Sequence, residues 1–168
     1  MMEDLQLTQT AKDLLTAMLR QEIESGTGKK ALEYGCGGTS LAAYLVDGLE
    51  YLASADKNDE YPAELKAASE TKGIYLIPDR EIEEDCYFGR FHLVYTVFGF
   101  HNLPRLVDEI MRLRRLIVKG GKMVIIDSAG DHFEETCVKQ LKRCGFAKIA
   151  EEEFAVDGKP AFRLSAEK

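Results

Sequence analysis

The sequence predicts an α/β fold: a three-layer α/β/α sandwich around a mostly parallel sheet that ends in an antiparallel strand pair. Three observations carry this. Short apolar runs alternate with longer stretches of helical periodicity from residue 5 to residue 144, as strands joined by crossover helices do. The first such run leads directly into a glycine-rich turn, Gly35-Cys36-Gly37-Gly38. The chain then closes with two strand-like runs around the bend Asp157-Gly158-Lys159-Pro160, a hairpin signal.

The 168 residues fit one domain with a sizeable core. Residues 1–28 are expected to form an N-terminal helix that packs on a domain spanning 29–168. A net charge of −7 argues against a nucleic-acid backbone as partner, because phosphate binding needs clustered Lys and Arg. Met1-Met2-Glu3-Asp4 lacks the basic and apolar regions of a signal peptide, and no apolar run approaches a membrane span. Cys36, Cys86, Cys137 and Cys144 show neither paired spacing nor a zinc pattern. Reduced thiols in a cytoplasmic protein without a metal site are the expectation.

In order, the stripe Leu7, Ala11, Leu14, Leu15, Met18, Leu19 predicts a helix over 5–23, ended by Ser25-Gly26-Thr27-Gly28. Strand one is Lys29 to Tyr34. A helix over Ser40 to Asp47 follows the glycine turn, with Thr39 or Ser40 as its cap. Strand two, Leu49 to Ala55, ends at Asp56. Glu60 to Lys72 is helical, with Pro62 tolerated in the first turn, and Gly73 stops it before strand three, Ile74 to Ile77. Strand four is Phe91 to Val97, followed by the loop Phe98-Gly99-Phe100-His101-Asn102-Leu103. A helix over 104–116 leads through the turn Gly120-Gly121 into strand five, ending at Asp127. Phe133 to Cys144 is the last helix, and Gly145–Ile149 pairs with Phe162–Leu164.

Glycines this close together are needed where backbone takes positive φ or lies against a ligand, with the next helix start presenting free N–H groups. The spacing alone does not name the ligand. Glu33, two residues before Gly35, discriminates: a carboxylate there repels a diphosphate and suits a ligand bearing an ammonium group. Asp56 lies 23 residues after Glu33, at a strand tip where an acid accepts hydrogen bonds from ribose hydroxyls. It supports an adenosine ligand without choosing between cofactors.

With Glu33, Gly35 and Gly37 matching an acid-x-Gly-x-Gly-x-Gly motif, the chain resembles the class I (Rossmann-like) AdoMet-dependent methyltransferases. Thr39 stands where the third glycine is usual. Val118-Lys119-Gly120-Gly121 resembles the family's turn before strand five, and the likeness spans about residues 29–165. The resemblance implies S-adenosyl-L-methionine as cofactor, held by Glu33, Gly35, Cys36, Gly37, Asp56, Lys57, Asp79, Thr96 and Val97. Asp79 would contact the adenine amino group, and Thr96, Val97 and Phe98 would lie nearest the reactive methyl. His92 departs from the family's Phe-Asp start of strand four.

Methyl transfer from a sulfonium is an in-line displacement that needs alignment more than acid–base machinery. If the acceptor loses a proton, His101 is the candidate base, ahead of His132, with Asp127 nearby. Connections such as Ser128 to His132 are short, so a homodimer or a second subunit is expected to complete the small-molecule acceptor site. Two other functions compete. One is a non-catalytic AdoMet-binding or scaffold subunit. The other is a nicotinamide-dependent oxidoreductase, which Glu33 and the lack of a catalytic Tyr–Lys pair disfavour.

Overall fold

A computed structural model describes residues 6–35 and 39–168. The chain runs α1 (Gln9–Glu24), β1 (Lys30–Tyr34), α2 (Ala42–Leu45), β2 (Tyr51–Ala55), α3 (Ala63–Lys72), β3 (Tyr75–Leu76), β4 (Phe91–Val97), α4 (Leu106–Leu116), β5 (Ile117–Ser128), α5 (Phe133–Arg143), β6 (Ala147–Val156) and β7 (Lys159–Glu167). One seven-stranded sheet has the order β3-β2-β1-β4-β5-β7-β6. Strands β1 to β5 pair in parallel, and β7 inserts antiparallel between β5 and β6. The α/β/α sandwich with its closing antiparallel pair is therefore the observed architecture.

Parallel strands buried on both faces read as near-continuous apolar runs, and each face here has its own core. Ala31, Leu52, Leu93, Val124 and Ile126 meet α1, α2 and α3; Leu32, Ala53, Val94, Met123 and Ile125 meet α4 and α5. Cys137 and Cys144 are fillers of the second core, and burial pushes the Cys137 thiol up to about 12. Helix α1 is fastened at both ends. Its cap Thr8 receives the Ala11 N–H at 3.2 Å while donating its own N–H and hydroxyl to Asp157 in the β6–β7 bend. Near its other end, buried Glu22 accepts from Lys122 Nζ (3.2 Å) and Ser165 Oγ (3.0 Å). Among the described residues, no helix is long and apolar enough to cross a membrane.

Several boundaries differ from the sequence expectation. The helix after the glycine turn spans only Ala42–Leu45 before a 3-10 turn at Val46–Gly48; Leu41 stands at its N-cap, and Ser40 Oγ receives the Ala42 N–H at 3.4 Å. The Thr39 and Ser40 hydroxyls donate elsewhere, as described below. Strand β3 is two residues long. The hairpin strands are far longer than their apolar cores, ten and nine residues. The Gly120-Gly121 turn lies inside β5: between the pairs Phe91↔Ile117 and Leu93↔Lys122, two steps of β4 face five of β5. Gly120 carries φ +80, and its N–H donates to the Lys168 carbonyl.

Gly121 has no room for a side chain. A Cβ there would stand 2.7 Å from Ile117 Cγ2 and 3.0 Å from the His92 carbonyl. Gly121→Ala is expected to lower unfolding free energy by about 1–3 kcal/mol, measured by urea denaturation. A loss below about 0.5 kcal/mol would show that the bulge relaxes freely.

Candidate functional site

The parallel strands end together, and their C-terminal tips frame a cleft of about 410 Å³. It is lined by Tyr34 and Gly35 after β1, Asp56, Lys57 and Asn58 after β2, and Phe98, Gly99, Asn102, Leu103 and Pro104 in the β4–α4 loop. This is the crevice outside the strand carboxyl ends where α/β sheets bind ligands. Of the residues expected from sequence, Gly35, Asp56 and Lys57 line it. Cys36 and Gly37 lie outside the described residues. Glu33, Asp79, Thr96, Val97 and His101 are not among its lining residues.

The sheet register explains Glu33. It sits opposite Ser54 on β2 and Tyr95 on β4, so all three side chains share the face covered by α2. Its carboxylate is 2% exposed. It accepts from Ser40 Oγ (2.6 Å), Leu41 N–H (2.8 Å), Tyr95 Oη (2.9 Å) and Ser54 Oγ (3.0 Å). Burial raises its pKa, and these hydrogen bonds oppose the rise. The sequence places Glu33 toward a ligand ammonium; in the fold its carboxylate also joins β1 to Ser40 and Leu41 beyond the glycine loop and to both neighbouring strands. Thr39 adds a second tie, its hydroxyl donating to the Val97 carbonyl at 2.8 Å. That contact gives the residue at the third glycine position a structural role.

Where β1 and β4 end, the backbones touch. Gly35 has φ +74, and Gly99 packs so closely that a Cβ would stand 2.6 Å from Thr96 Oγ1 and 2.9 Å from the Gly35 carbonyl. Thr96 Oγ1 is buried beneath the two glycines with no hydrogen-bond partner among the described residues. Phe98, on the cleft wall, holds φ +53. That left-handed backbone is an outlier for a bulky residue and persists only when its surroundings over-determine it. They do so here. Phe98 N–H donates to the Ile126 carbonyl (2.8 Å), and the N–H groups of Phe100 and His101 donate to Asp127 Oδ2 at 3.1 and 3.3 Å.

His101 and Asp127 form a close pair, Nδ1 to Oδ1 2.7 Å, and Asp127 is fully buried. The hydrogen bond to Asp127 raises the His101 pKa, against partial burial. Geometrically the pair clasps the β4–α4 loop to the tip of β5. His132 is exposed beside Glu135, and His92 receives the Lys30 N–H on Nδ1 at 3.4 Å. Among the described residues no cluster of His, Cys, Asp and Glu could hold a metal.

Asp79 is engaged by a network that sequence reading missed. Arg112 of α4 donates from Nη1 to Asp79 Oδ1 (2.8 Å) and from Nη2 to its carbonyl. Glu109, one turn earlier, receives Tyr34 Oη (2.9 Å) on Oε2 and Lys57 Nζ (2.7 Å) on Oε1. Burial opposes the Glu109 charge, but its partners Lys57, Tyr34 and Arg112 hold it below the usual carboxylate range. The Asp79 carboxylate is therefore partly committed to Arg112. The signal lay in Glu109 and Arg112 at i, i+3 on one helix face, without anything to show which strand tips they meet.

Two outcomes test this geometry. At position 98 alanine keeps the strained backbone and glycine removes it. Phe98→Ala should therefore be less stable than Phe98→Gly by about 1 kcal/mol in denaturant titration; equal stabilities would show an unstrained turn. Because the folded His101 pKa is raised, its pairing contributes fully below the unfolded value of about 6.5 and fades as pH climbs through the higher folded value. A His101→Gln variant should lack that decline in unfolding free energy between neutral and mildly alkaline pH.

No protein-family model matches the sequence, and no curated protein matches it either. Solved structures do. The N-methyltransferase NodS from Bradyrhizobium japonicum WM9 is 14% identical over 95% of this chain and 97% of its own, with a TM-score of 0.71. The 1,6-didemethyltoxoflavin-N1-methyltransferase from Burkholderia thailandensis, solved with bound 1,6-didemethyltoxoflavin and S-adenosylhomocysteine, is 16% identical over 95% of this chain and 77% of its own, TM-score 0.70. The cyclase SpnF is 13% identical over 99% of this chain and 84% of its own, TM-score 0.77. At these identities the likeness is one of architecture: the chain has the fold of the class I, Rossmann-like AdoMet-dependent methyltransferases.

Proposed function

We propose that the cleft binds S-adenosyl-L-methionine and that the protein transfers its methyl group to a small-molecule acceptor. The observation that carries this reading is the charge of the cleft. Its charged lining residues, among those described, are Asp56 and Lys57, and the Lys57 ammonium is matched by Glu109 at 2.7 Å. A diphosphate would meet a carboxylate and no uncompensated lining cation, whereas a phosphate-free cationic nucleoside suits the site. The volume falls within the usual range for small-molecule sites, about 300–1,000 Å³.

Asp56, whose Oδ1 already receives the Asn58 N–H at 3.0 Å, is the group for ribose hydroxyls. Gly35 and Gly99 give backbone that a ligand can approach without meeting a side chain, and Phe98, Leu103 and Pro104 offer an apolar wall to the base. Glu33, Thr39 and the His101–Asp127 pair keep that wall in place. His101 is therefore assigned to positioning the loop rather than to proton removal. When bound, the cofactor supplies an electrophilic methyl group on sulfur, and the chain's task is to hold donor and acceptor in line, an alignment worth about 7–11 kcal/mol in well-oriented systems.

Strand β5 and helix α5 are joined by residues 129–132 alone. We assign closure of the acceptor side to a second copy of the chain or another subunit. The similarity to SpnF, a cyclase, supports keeping a non-methylating role as the second reading.

Calorimetry with AdoMet, S-adenosylhomocysteine and NAD is the direct test. AdoMet and S-adenosylhomocysteine should bind and NAD should not, and Asp56→Ala should weaken AdoMet by about 10- to 100-fold. Preferential NAD binding would reject the cofactor assignment. Labelled AdoMet with thiol, phenol, amine and carboxylate acceptors separates methyl transfer from binding alone.

A further inference from the structure

Lys57 occupies an unusual position for a site that takes a cationic ligand. It lines the cleft and its side chain is 44% exposed, yet its Nζ lies 2.7 Å from Glu109 Oε1. Glu109 is itself 9% exposed in its side chain and comes from α4, not from the cleft-lining loop. Its other oxygen is held by Tyr34 Oη at 2.9 Å, with Arg112 Nη1 at 3.5 Å. Arg112 is in turn matched by Asp79 at 2.8 Å and Glu83 at 3.4 Å. Glu109 is thus held rigidly from one side and presents a fixed anion to Lys57 on the other.

We propose that Glu109 sets the charge selectivity of the cleft: by neutralising Lys57 it lets the site favour a cationic sulfonium nucleoside over the neutral thioether that methyl transfer leaves behind. This rests on the cofactor reading above. Charges in a partly desolvated cleft act more strongly than in water, so an uncompensated ammonium at Lys57 repels the sulfonium and leaves the thioether nearly untouched. Glu109 acts through Lys57 and is a positioning residue, not a catalytic one. The arrangement helps product leave, because the two ligands differ mainly in the charge on sulfur.

The test is the ratio of dissociation constants for AdoMet and S-adenosylhomocysteine, measured by calorimetry on the whole chain. Glu109→Gln keeps the shape and the hydrogen bond to Tyr34 while removing the charge. It should move the ratio roughly fivefold toward S-adenosylhomocysteine, and adding Lys57→Met should return it. Lys57→Met alone leaves the Glu109 anion and should move the ratio in the opposite sense, which keeps the idea falsifiable if Glu109→Gln folds poorly. A structural role for the pair would weaken both ligands together. Ratios within twofold of wild type in both single variants overturn the proposal while leaving the cofactor assignment intact. Failure of the wild-type chain to bind either ligand overturns both.

Discussion

The arrangement of this molecule depends on a buried carboxylate. Glu33 sits inside the α2 face of the sheet, and its four donors come from the two residues Ser40 and Leu41 after the glycine loop and from the two neighbouring strands. Removing a charged group from water is costly unless every lone pair is used. Once they are used, the same low dielectric makes each bond stiff. Ser40 and Leu41, just beyond the glycine loop, receive their placement from this point. Short helix α2 follows directly: Ser40 and the Leu41 N–H serve Glu33, so the helix starts two residues later than its pattern suggests.

The same device recurs around the cleft. Asp127 at the tip of β5 fixes the loop after β4, and Glu109 and Arg112 of α4 fix the tips of β1, β2 and β3 through Tyr34, Lys57 and Asp79. Four buried or half-buried charged groups thus hold a wall whose lining is mostly glycine, amide and apolar side chain. Sites built in this way keep geometry in a supporting layer and leave the lining to determine what is bound. The strained backbone at Phe98 is tolerated because Asp127 and the β5 carbonyl hold both sides of it.

The sheet and its helices were legible because their information is local: apolar runs, helical stripes and glycine stops. Strand tips at Asp56 and Val97 were placed correctly for the same reason. Lengths were less legible where polarity interrupts the pattern. Glu151, Glu152 and Glu153 hide an edge strand whose outer face is solvated, so β6 looked five residues long instead of ten. Roles were least legible where the partner is remote in sequence. An acid two residues before a glycine loop suits an ammonium ion or a buried knot equally well. The register that sets Ser54 and Tyr95 beside Glu33 is not visible in the sequence. Arg112 lies 33 residues from Asp79, and nothing local announces the pairing.

The clasp between Thr8 and Asp157 spans 149 residues, and β5, an interior strand of the sheet, finds its second neighbour only in β7. Contacts of such long sequence separation form late, because their loop-closure entropy is met before they contribute anything. A chain emerging from the ribosome can assemble β1 to β4 early, but it leaves one flank of β5 and the α1 side of the core exposed until the hairpin has been made. During that interval the open β5 edge is the surface most in need of protection from aggregation.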